Sequence, residues 1–175
     1  MALPTRRHFI QTSATALLVT QAQGQTQAPP RIKVAQIGTK HAHAEGKFST
    51  WLDLPDLFEV LGICEEDEAQ RKRVSQRKSY QSSRWLSEEE ILNDPGIKIV
   101  GIETEMDQLV PTAMRCLQAG KHLHLDKPAG QKLGPCRAMH HEATKRGLTI
   151  QMGYMLRYNP AFTFLFRAVR EGWLG

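Results

Sequence analysis

The chain has 175 residues, 41% of them hydrophobic and 23% charged, with a formal net charge of +5 at pH 7. A chain of this length can bury a single core and holds about one domain, and its composition is that of an ordinary soluble protein. The mild positive charge does not indicate a nucleic-acid partner, because the basic residues at 71–78 follow the acidic residues 65–68 without interleaved aromatic side chains. Cys64, Cys116 and Cys136 share no Cys-x-x-Cys spacing, so neither a disulfide framework nor a cysteine-based zinc site is indicated.

Residues 1–28 resemble an export signal that precedes the folded part of the chain. Arg6 and Arg7 come before a Phe-Ile pair, an apolar stretch follows at 14–19, and a polar run leads to Pro29-Pro30. This pattern is typical of a twin-arginine signal and predicts export, with a periplasmic location. The alternative is an N-terminal segment without a targeting function. The apolar stretch is too short to cross a bilayer, so no membrane span is expected.

The first predicted strand covers residues 32–37, and Gly38 follows it as a tight turn. Phe48, Trp51 and Leu52 then form one apolar face at helical spacing, which predicts a helix. Strand, glycine turn and helix are the opening of a dinucleotide-binding unit, in which the helix N-terminus faces a pyrophosphate. Only the first glycine of the Gly-x-Gly-x-x-Gly fingerprint is present, with Lys40 and His43 in the other two places. The candidate cofactor-binding residues of this turn are Gly38, Thr39, Lys40 and His41.

A second predicted strand, residues 58–64, ends at Glu65-Glu66. An acidic residue at this position hydrogen-bonds the ribose hydroxyls of a bound dinucleotide, and we therefore take Glu65 as a candidate. Glu65 lies 27 residues beyond Gly38, somewhat more than the usual spacing of about 20, and a longer first helix would absorb the difference. Alternatively, both glutamates only favour the N-terminus of the next helix. Both interpretations stay open.

The remaining elements alternate in the same way. A charged, exposed helix is predicted at 67–78, a short strand from Tyr80, and a capping box at Ser87 to Glu90 opens the next helix. Further strands are predicted at 97–102, 122–125 and 148–153, with helices between them. The sequence therefore predicts an α/β fold with a doubly wound parallel sheet, whose ligand site lies at the carboxyl ends of the strands. These ends carry Thr104, Glu105, Asp126 and Lys127 in addition to the residues already named.

The segments VAQIG, LGICEE, ILNDPGIKIVGIET, CLQAGKHLHLDKP and GYMLRYNPAF resemble those of the Gfo/Idh/MocA oxidoreductases, over nearly everything from Arg31 onward. AGKHLHLDKP is similar to the family's strand with its glutamate-lysine-proline motif, with Asp126 in place of the glutamate. Glu105 stands where the family usually has proline, and Leu109 where it often has histidine.

The resemblance implies a Rossmann domain that binds NAD or NADP, followed by an α/β domain, and redox chemistry on sugar-like or polyol groups. Lys127 is then the catalytic lysine that positions nicotinamide and substrate, although a lysine before proline is otherwise a turn residue. Residues 29–155 are expected to form the dinucleotide-binding domain, and 156–175 the first helix of the substrate domain. Because the family's acid/base lies in that second domain, we expect this chain to be truncated and catalytically incomplete. The alternative is a non-catalytic nucleotide-binding or interaction module, or a truncated product, that forms a homo-oligomer through its exposed apolar face.

Histidine pairs raise the question of a metal. His122 and His124 share one face of a strand, and we interpret them as core histidines beneath a helix. For His41 and His43 we favour phosphate or solvent contact, so no metal site is predicted. Tyr154, Arg157 and Tyr158 either contact a substrate or pack at the junction to the second domain, and the sequence does not separate these roles.

Overall fold

The computed structural model describes residues 29–175, and the predicted export signal at 1–28 lies outside this part. The strands are β1 (Ile32–Ile37), β2 (Phe58–Cys64), β3 (Ile99–Ile102), β4 (His122–Leu125) and β5 (Ile150–Met152). The helices are α1 (Ala44–Leu52), α2 (Glu68–Val74), α3 (Glu88–Asn93), α4 (Met106–Gln118), α5 (Leu133–Arg146) and α6 (Pro160–Arg170), with a 3₁₀ helix at Met155–Tyr158.

The five strands form one parallel sheet in the order β2-β1-β3-β4-β5. The chain runs outward from β1 to β2 and then crosses back to β3 on the other side of β1. The direction of winding therefore changes between β1 and β3, and in parallel sheets ligands bind at the carboxyl ends of such a pair of strands. The prediction of a doubly wound α/β fold is confirmed.

Alternating side chains of β1 point to two separate cores, one on each face of the sheet. Val34 packs with Phe48 and Trp51 of α1, whereas Ala35 and Ile37 join the larger core beneath α3, α4 and α5. α1 packs closely on its face: a Cβ added to Gly101 in β3 would lie 2.5 Å from the Trp51 ring. Because both faces are covered, the strands are apolar along most of their length.

Two predicted elements differ from the structure. The strand expected from Tyr80 is absent, since Tyr80 is fully buried in a turn and only Trp85 makes a single bridge to Ile63. The Tyr80 hydroxyl accepts a hydrogen bond from buried Gln36, so core packing determined this segment. The helix predicted over 67–78 is the shorter α2, because Asp67 caps it and it ends at Val74. The Ser87–Glu90 capping box is present as predicted.

No helix within residues 29–175 is long and apolar enough to cross a membrane. The last helix, α6, is capped by Asn159 as the sequence predicts. Its apolar face is exposed: Phe166 and Val169 are each 61% accessible to solvent. This face contrasts with α1 and α4, whose apolar sides are buried against the sheet.

Candidate functional site

The loop between β1 and α1 forms the floor of the site, and Gly38 shapes it. Gly38 has a φ of +88°, and a Cβ there would lie 2.7 Å from the backbone nitrogen of Thr104. Positive φ costs a residue with a side chain free energy, and the backbone of the neighbouring loop leaves no room for one. Glycine is therefore required for the two loops to meet at the carboxyl ends of β1 and β3.

Glu65 holds the loop in place. Its carboxylate accepts hydrogen bonds from the Thr39 backbone N–H at 3.0 Å and the Thr39 hydroxyl at 2.6 Å. It also accepts one from the Asp67 N–H at 3.2 Å, immediately before α2. Buried Gln70 donates from its side chain to the Thr39 carbonyl. Glu65 therefore fastens the end of β2 to the glycine loop and supports the start of α2, while Glu66 is the exposed member of the pair.

A cleft of about 430 Å³ opens between these loops. Lys40 reaches across it, with its Nζ 3.1 Å from Asp67 Oδ2 and 3.6 Å from Glu105 Oε2. The hydrogen bond with Asp67 raises the pKa of Lys40. At the far wall, Arg115 forms a two-nitrogen contact with the Glu88 carboxylate. Lys40, in the place of the second fingerprint glycine, thus adds a positive charge to the cleft, whereas a glycine there would add no side chain.

Five of the predicted cofactor-binding residues line this cleft, and four do not. The lining residues are Gly38, Lys40, Glu65, Thr104 and Glu105. Thr39 is buried beneath the loop, and His41 and Asp126 belong to a separate cluster. Lys127 is exposed just beyond β4, and its side chain makes no hydrogen bond or ion pair with any other described residue.

The separate cluster lies under the loop and contains two fully buried carboxylates, Glu103 at the end of β3 and Asp126 at the end of β4. Lys47 of α1 lies between them, with its Nζ 2.8 Å from Glu103 Oε1 and 3.1 Å from Asp126 Oδ1. Asp126 Oδ1 also accepts the backbone N–H of Lys127 at 2.6 Å. Asp126 therefore fixes the turn before Lys127 through that residue's backbone and does not contact its ammonium group.

The two histidines of the loop turn toward the same carboxylate. His41 Nδ1 is in direct contact with Asp126 Oδ2, and His43 Nδ1 lies 3.4 Å from that oxygen. His41 Nδ1 is also 3.7 Å from Glu103 Oε2. The cluster thus combines two imidazoles, two carboxylates and one ammonium group.

Hydrogen bonding separates the pKa values of the two buried carboxyl groups. Burial raises the pKa of Glu103 to about 8, although the neighbouring Lys47 ammonium group acts to lower it. Burial would also raise the pKa of Asp126, but hydrogen bonds from the Lys127 N–H, Glu103 and Lys47 lower it to about 2. Burial lowers the pKa of His41, so its neutral form is favoured. At neutral pH the carboxylate negative charge is therefore concentrated on Asp126.

Sequence reasoning missed Glu103 and Lys47. The sequence contains a signal for each. Glu103 directly follows the apolar run of β3, so it continues a buried strand. Lys47 lies one helical turn after His43 and one before Trp51, so it shares a face of α1 with both residues. An ionisable residue at a buried position of either element indicates a polar partner.

The other candidates lie away from the cleft. His122 Nδ1 accepts the Thr149 N–H, and His124 pairs with Gln151 with its ring edge toward Trp51 of α1, which agrees with the interpretation as satisfied histidines. Tyr154 and Tyr158 border a groove of about 250 Å³ that also contains Lys47 and His124. Both are largely exposed, and their role stays a prediction.

Residues 32–154 match the family model described as the Gfo/Idh/MocA oxidoreductase family, NAD-binding Rossmann fold. Trans-1,2-dihydrobenzene-1,2-diol dehydrogenase of Macaca fuscata fuscata is 29% identical over 117 residues, which are 67% of this chain and 35% of that protein. This chain thus spans about a third of the length of such curated relatives.

Two solved structures agree with the fold. YhhX, described as an uncharacterized oxidoreductase of Escherichia coli strain K12, is 32% identical over 87 residues, which are 50% of this chain and 25% of that protein. Its crystal structure superposes with a TM-score of 0.69 and 28% identity, over 82% of this chain and 41% of that one. KijD10, a 3-ketoreductase from Actinomadura kijaniata solved with TDP-benzene and NADP, superposes with a TM-score of 0.70 and 22% identity, over 83% and 45% of the respective chains.

Proposed function

Because the chain belongs to the Gfo/Idh/MocA oxidoreductase family and comprises its NAD-binding Rossmann domain, we propose that it holds the nicotinamide cofactor of a dehydrogenase acting on a sugar-like, polyol or diol hydroxyl group. The cofactor class is NAD or NADP. The observation that carries the proposal is the cleft at Gly38, which lies at the change of winding direction between β1 and β3. In this proposal the pyrophosphate lies at the Gly38 turn, near Lys40.

The charges of the cleft favour NAD over NADP in this proposal. Its walls carry the carboxylates of Glu65, Glu66, Asp67, Glu88 and Glu105. The cations there, Lys40 and Arg115, are already paired with carboxylates. A 2′-phosphate would bring further negative charge next to these groups, which repel it, whereas ribose hydroxyls donate hydrogen bonds to a carboxylate. Glu66 is the exposed carboxylate best placed for that contact.

Titration of the full chain with NADH and NADPH, followed by cofactor fluorescence, tests this assignment. We expect NADH to bind more tightly than NADPH. Glu66→Gln should reduce this difference in affinity, because it weakens NADH binding and strengthens NADPH binding. Glu171→Gln, which removes an exposed carboxylate beyond α6, is the matched control and leaves both affinities unchanged. Equal affinities in the wild type would contradict the NAD preference. No binding of either cofactor at millimolar concentration would contradict the proposed function.

The substrate class rests on the relatives, among which a diol dehydrogenase is found. Lys127, exposed at the carboxyl end of β4, is the proposed contact with nicotinamide and substrate, where a cation polarises a carbonyl. The experiment measures NADH binding to the full chain, alone and with a panel of cyclic diols and polyols, comparing Lys127→Met with the control Lys132→Met. Weaker binding only in Lys127→Met supports the assignment, and equal affinities of the two variants contradict it.

A second candidate is a nucleotide-binding module without turnover of its own. The exposed apolar face of α6 favours it, since such a face is typical of a protein interface. Cofactor binding without turnover on any diol or polyol, together with a dimeric mass by light scattering, is the result expected of this candidate. A monomer that turns over substrate would exclude it.

Export by the twin-arginine route remains part of the proposal for residues 1–28. Replacing Arg6-Arg7 by Lys-Lys is expected to retain the chain in the cytoplasm, as seen by fractionation. Unchanged export would contradict the assignment.

A further inference from the structure

The buried cluster under the loop is not explained by a dinucleotide in the cleft. Glu103 and Asp126 are completely buried and have one ammonium group, that of Lys47, between them. Two of the polar atoms that face one another there, Glu103 Oε2 and His43 Nδ1, are buried without a hydrogen-bond partner among the described residues, and Asp126 Oδ2 faces both histidines. A buried polar atom without a partner costs free energy, so their arrangement points to a missing binding partner.

The donor atoms fit a metal ion. One ring nitrogen each of His41 and His43 and one carboxylate oxygen of Asp126 all lie within 4.8 Å of one another. Zinc bonds to nitrogen and carboxylate oxygen are about 2.0–2.2 Å long, which places two ligands of a tetrahedral site roughly 3.4 Å apart. His43 Nδ1 lies 3.4 Å from Asp126 Oδ2, whereas His41 Nδ1 is in direct contact with that oxygen and has to move away from it when a cation enters between them. We propose that His41, His43 and Asp126 bind a divalent transition-metal cation, Zn²⁺ in the first instance.

The second oxygen of Asp126 makes this arrangement specific. Oδ1 is held by the Lys47 ammonium and the Lys127 N–H, so its orientation is fixed and Oδ2 is directed to the histidines. Carboxylates that are themselves hydrogen-bonded are typical of metal ligands, because the outer contacts orient the donor oxygen. Glu103 Oε2, 3.7 Å from His41 Nδ1, is placed to accept a hydrogen bond from a metal-bound water.

The solvent exposure of the two histidines and the location of the cluster at the strand ends allow the proposed metal ion to contact a substrate. The side chains of His41 and His43 are 19% and 30% exposed, so a cation and a small oxygen ligand can reach it from solvent. With two imidazoles and one carboxylate, a fourth coordination position is open, as in catalytic zinc sites. A cation there would polarise a hydroxyl or carbonyl oxygen close to the Asp126-Lys127 turn. This metal-binding role goes beyond the proposed cofactor binding, and an experiment can contradict either proposal without contradicting the other.

The experiment uses the full chain, purified without a histidine tag and stripped with EDTA. Co²⁺ is titrated while visible absorption is recorded, and Zn²⁺ is then added to displace it. We expect one Co²⁺ per chain, with the absorption of a four- or five-coordinate nitrogen and oxygen site, lost when Zn²⁺ binds. His41→Ala and His43→Ala should each weaken binding by at least about a hundredfold, since an outer-shell change alone costs up to that much.

His140→Ala/His141→Ala is the matched control, because both histidines are exposed on α5 and outside the cluster. It should bind Co²⁺ as the wild type does. The absence of a stoichiometric Co²⁺ site would overturn the proposal, as would equal binding by the cluster variants and the control. A sulfur-to-cobalt charge-transfer band would also overturn it, by assigning the metal to a cysteine.

A measurement independent of the histidine variants uses Lys47→Gln. This change removes the ammonium group that holds Asp126 Oδ1 and directs Oδ2 to the histidines, so it should weaken the binding of a cation there. We expect Zn²⁺ to raise the melting temperature of the wild type by more than that of Lys47→Gln. Equal or absent shifts would overturn the proposal even if the histidine variants failed to fold.

Discussion

Two consecutive residues of the glycine loop, Lys40 and His41, turn to opposite environments. Lys40 lies in an open cleft, where water competes for its ion pairs with Asp67 and Glu105. His41 faces a cluster whose two carboxylates are completely buried. Ion pairs in water contribute little to stability, whereas a buried charge that loses its partner is costly. The side of the loop that carries Lys40 is therefore suited to binding and releasing a charged ligand. On the side that carries His41, the loss of a charged partner in the buried cluster would destabilise the fold.

Replacement of Lys47 by methionine should have the largest effect. It leaves Glu103 and Asp126 without their ammonium partner, and removal of one member of a buried ion pair costs roughly 3–5 kcal/mol. Urea unfolding followed by circular dichroism measures this loss in the free energy of unfolding. Lys40→Met is the control and should leave that free energy nearly unchanged. Equal losses in the two variants would mean that the two sides of the loop do not differ as described.

Gly38→Ala should have the next largest effect. The φ of +88° and the approach of the Thr104 nitrogen to 2.7 Å of the added Cβ make the change unfavourable by about 1–3 kcal/mol. Gly46→Ala, in α1, has no atom within 4 Å of the new Cβ and should stabilise the chain by about 0.5–1 kcal/mol. Thermal unfolding of both variants measures the difference. Two shifts of the same sign would contradict the close approach of the loops.

Lys40→Met should weaken NADH binding by roughly fivefold, because an exposed lysine adds a modest attraction to a phosphate. The loss should shrink as salt is added, since screening reduces the contribution of the lysine. Fluorescence titration at two salt concentrations measures it. Tighter binding by Lys40→Met would show instead that its ion pairs to Asp67 and Glu105 hold the cleft closed to the cofactor.

Much of the fold could be predicted from local patterns. Apolar strands ending at glycine or acidic residues, and helices between them, indicated the parallel sheet and the location of its ligand site. The Ser87 capping box and the Asn159 cap were identified because each depends only on neighbouring residues. Tyr80 was misassigned because its position depends on Gln36, 44 residues away in the chain, and no local pattern reports such a contact.

The site was predicted less completely for the same reason. Gly38, Glu65 and Thr104 were located from strand ends, but the partners of each side chain depend on three-dimensional packing. The Glu65 carboxylate was expected to accept hydrogen bonds from a ribose, but in the structure it accepts a hydrogen bond from the Thr39 hydroxyl. The histidine pair at 41 and 43 gave no sign of Asp126, 85 residues beyond His41, until β1 and β4 were placed in one sheet.

The most direct test of the central claim is an amide nuclear magnetic resonance titration of the full chain with NADH. If the cleft at Gly38 holds the dinucleotide, the shifts will concentrate at Gly38 to Lys40, at Glu65 to Asp67 and at Thr104-Glu105, while the amides of α6 stay in place. Shifts confined to a second groove, between Val110 and Met114 of α4 and Pro135 of α5, or no shifts at millimolar NADH, would contradict this assignment.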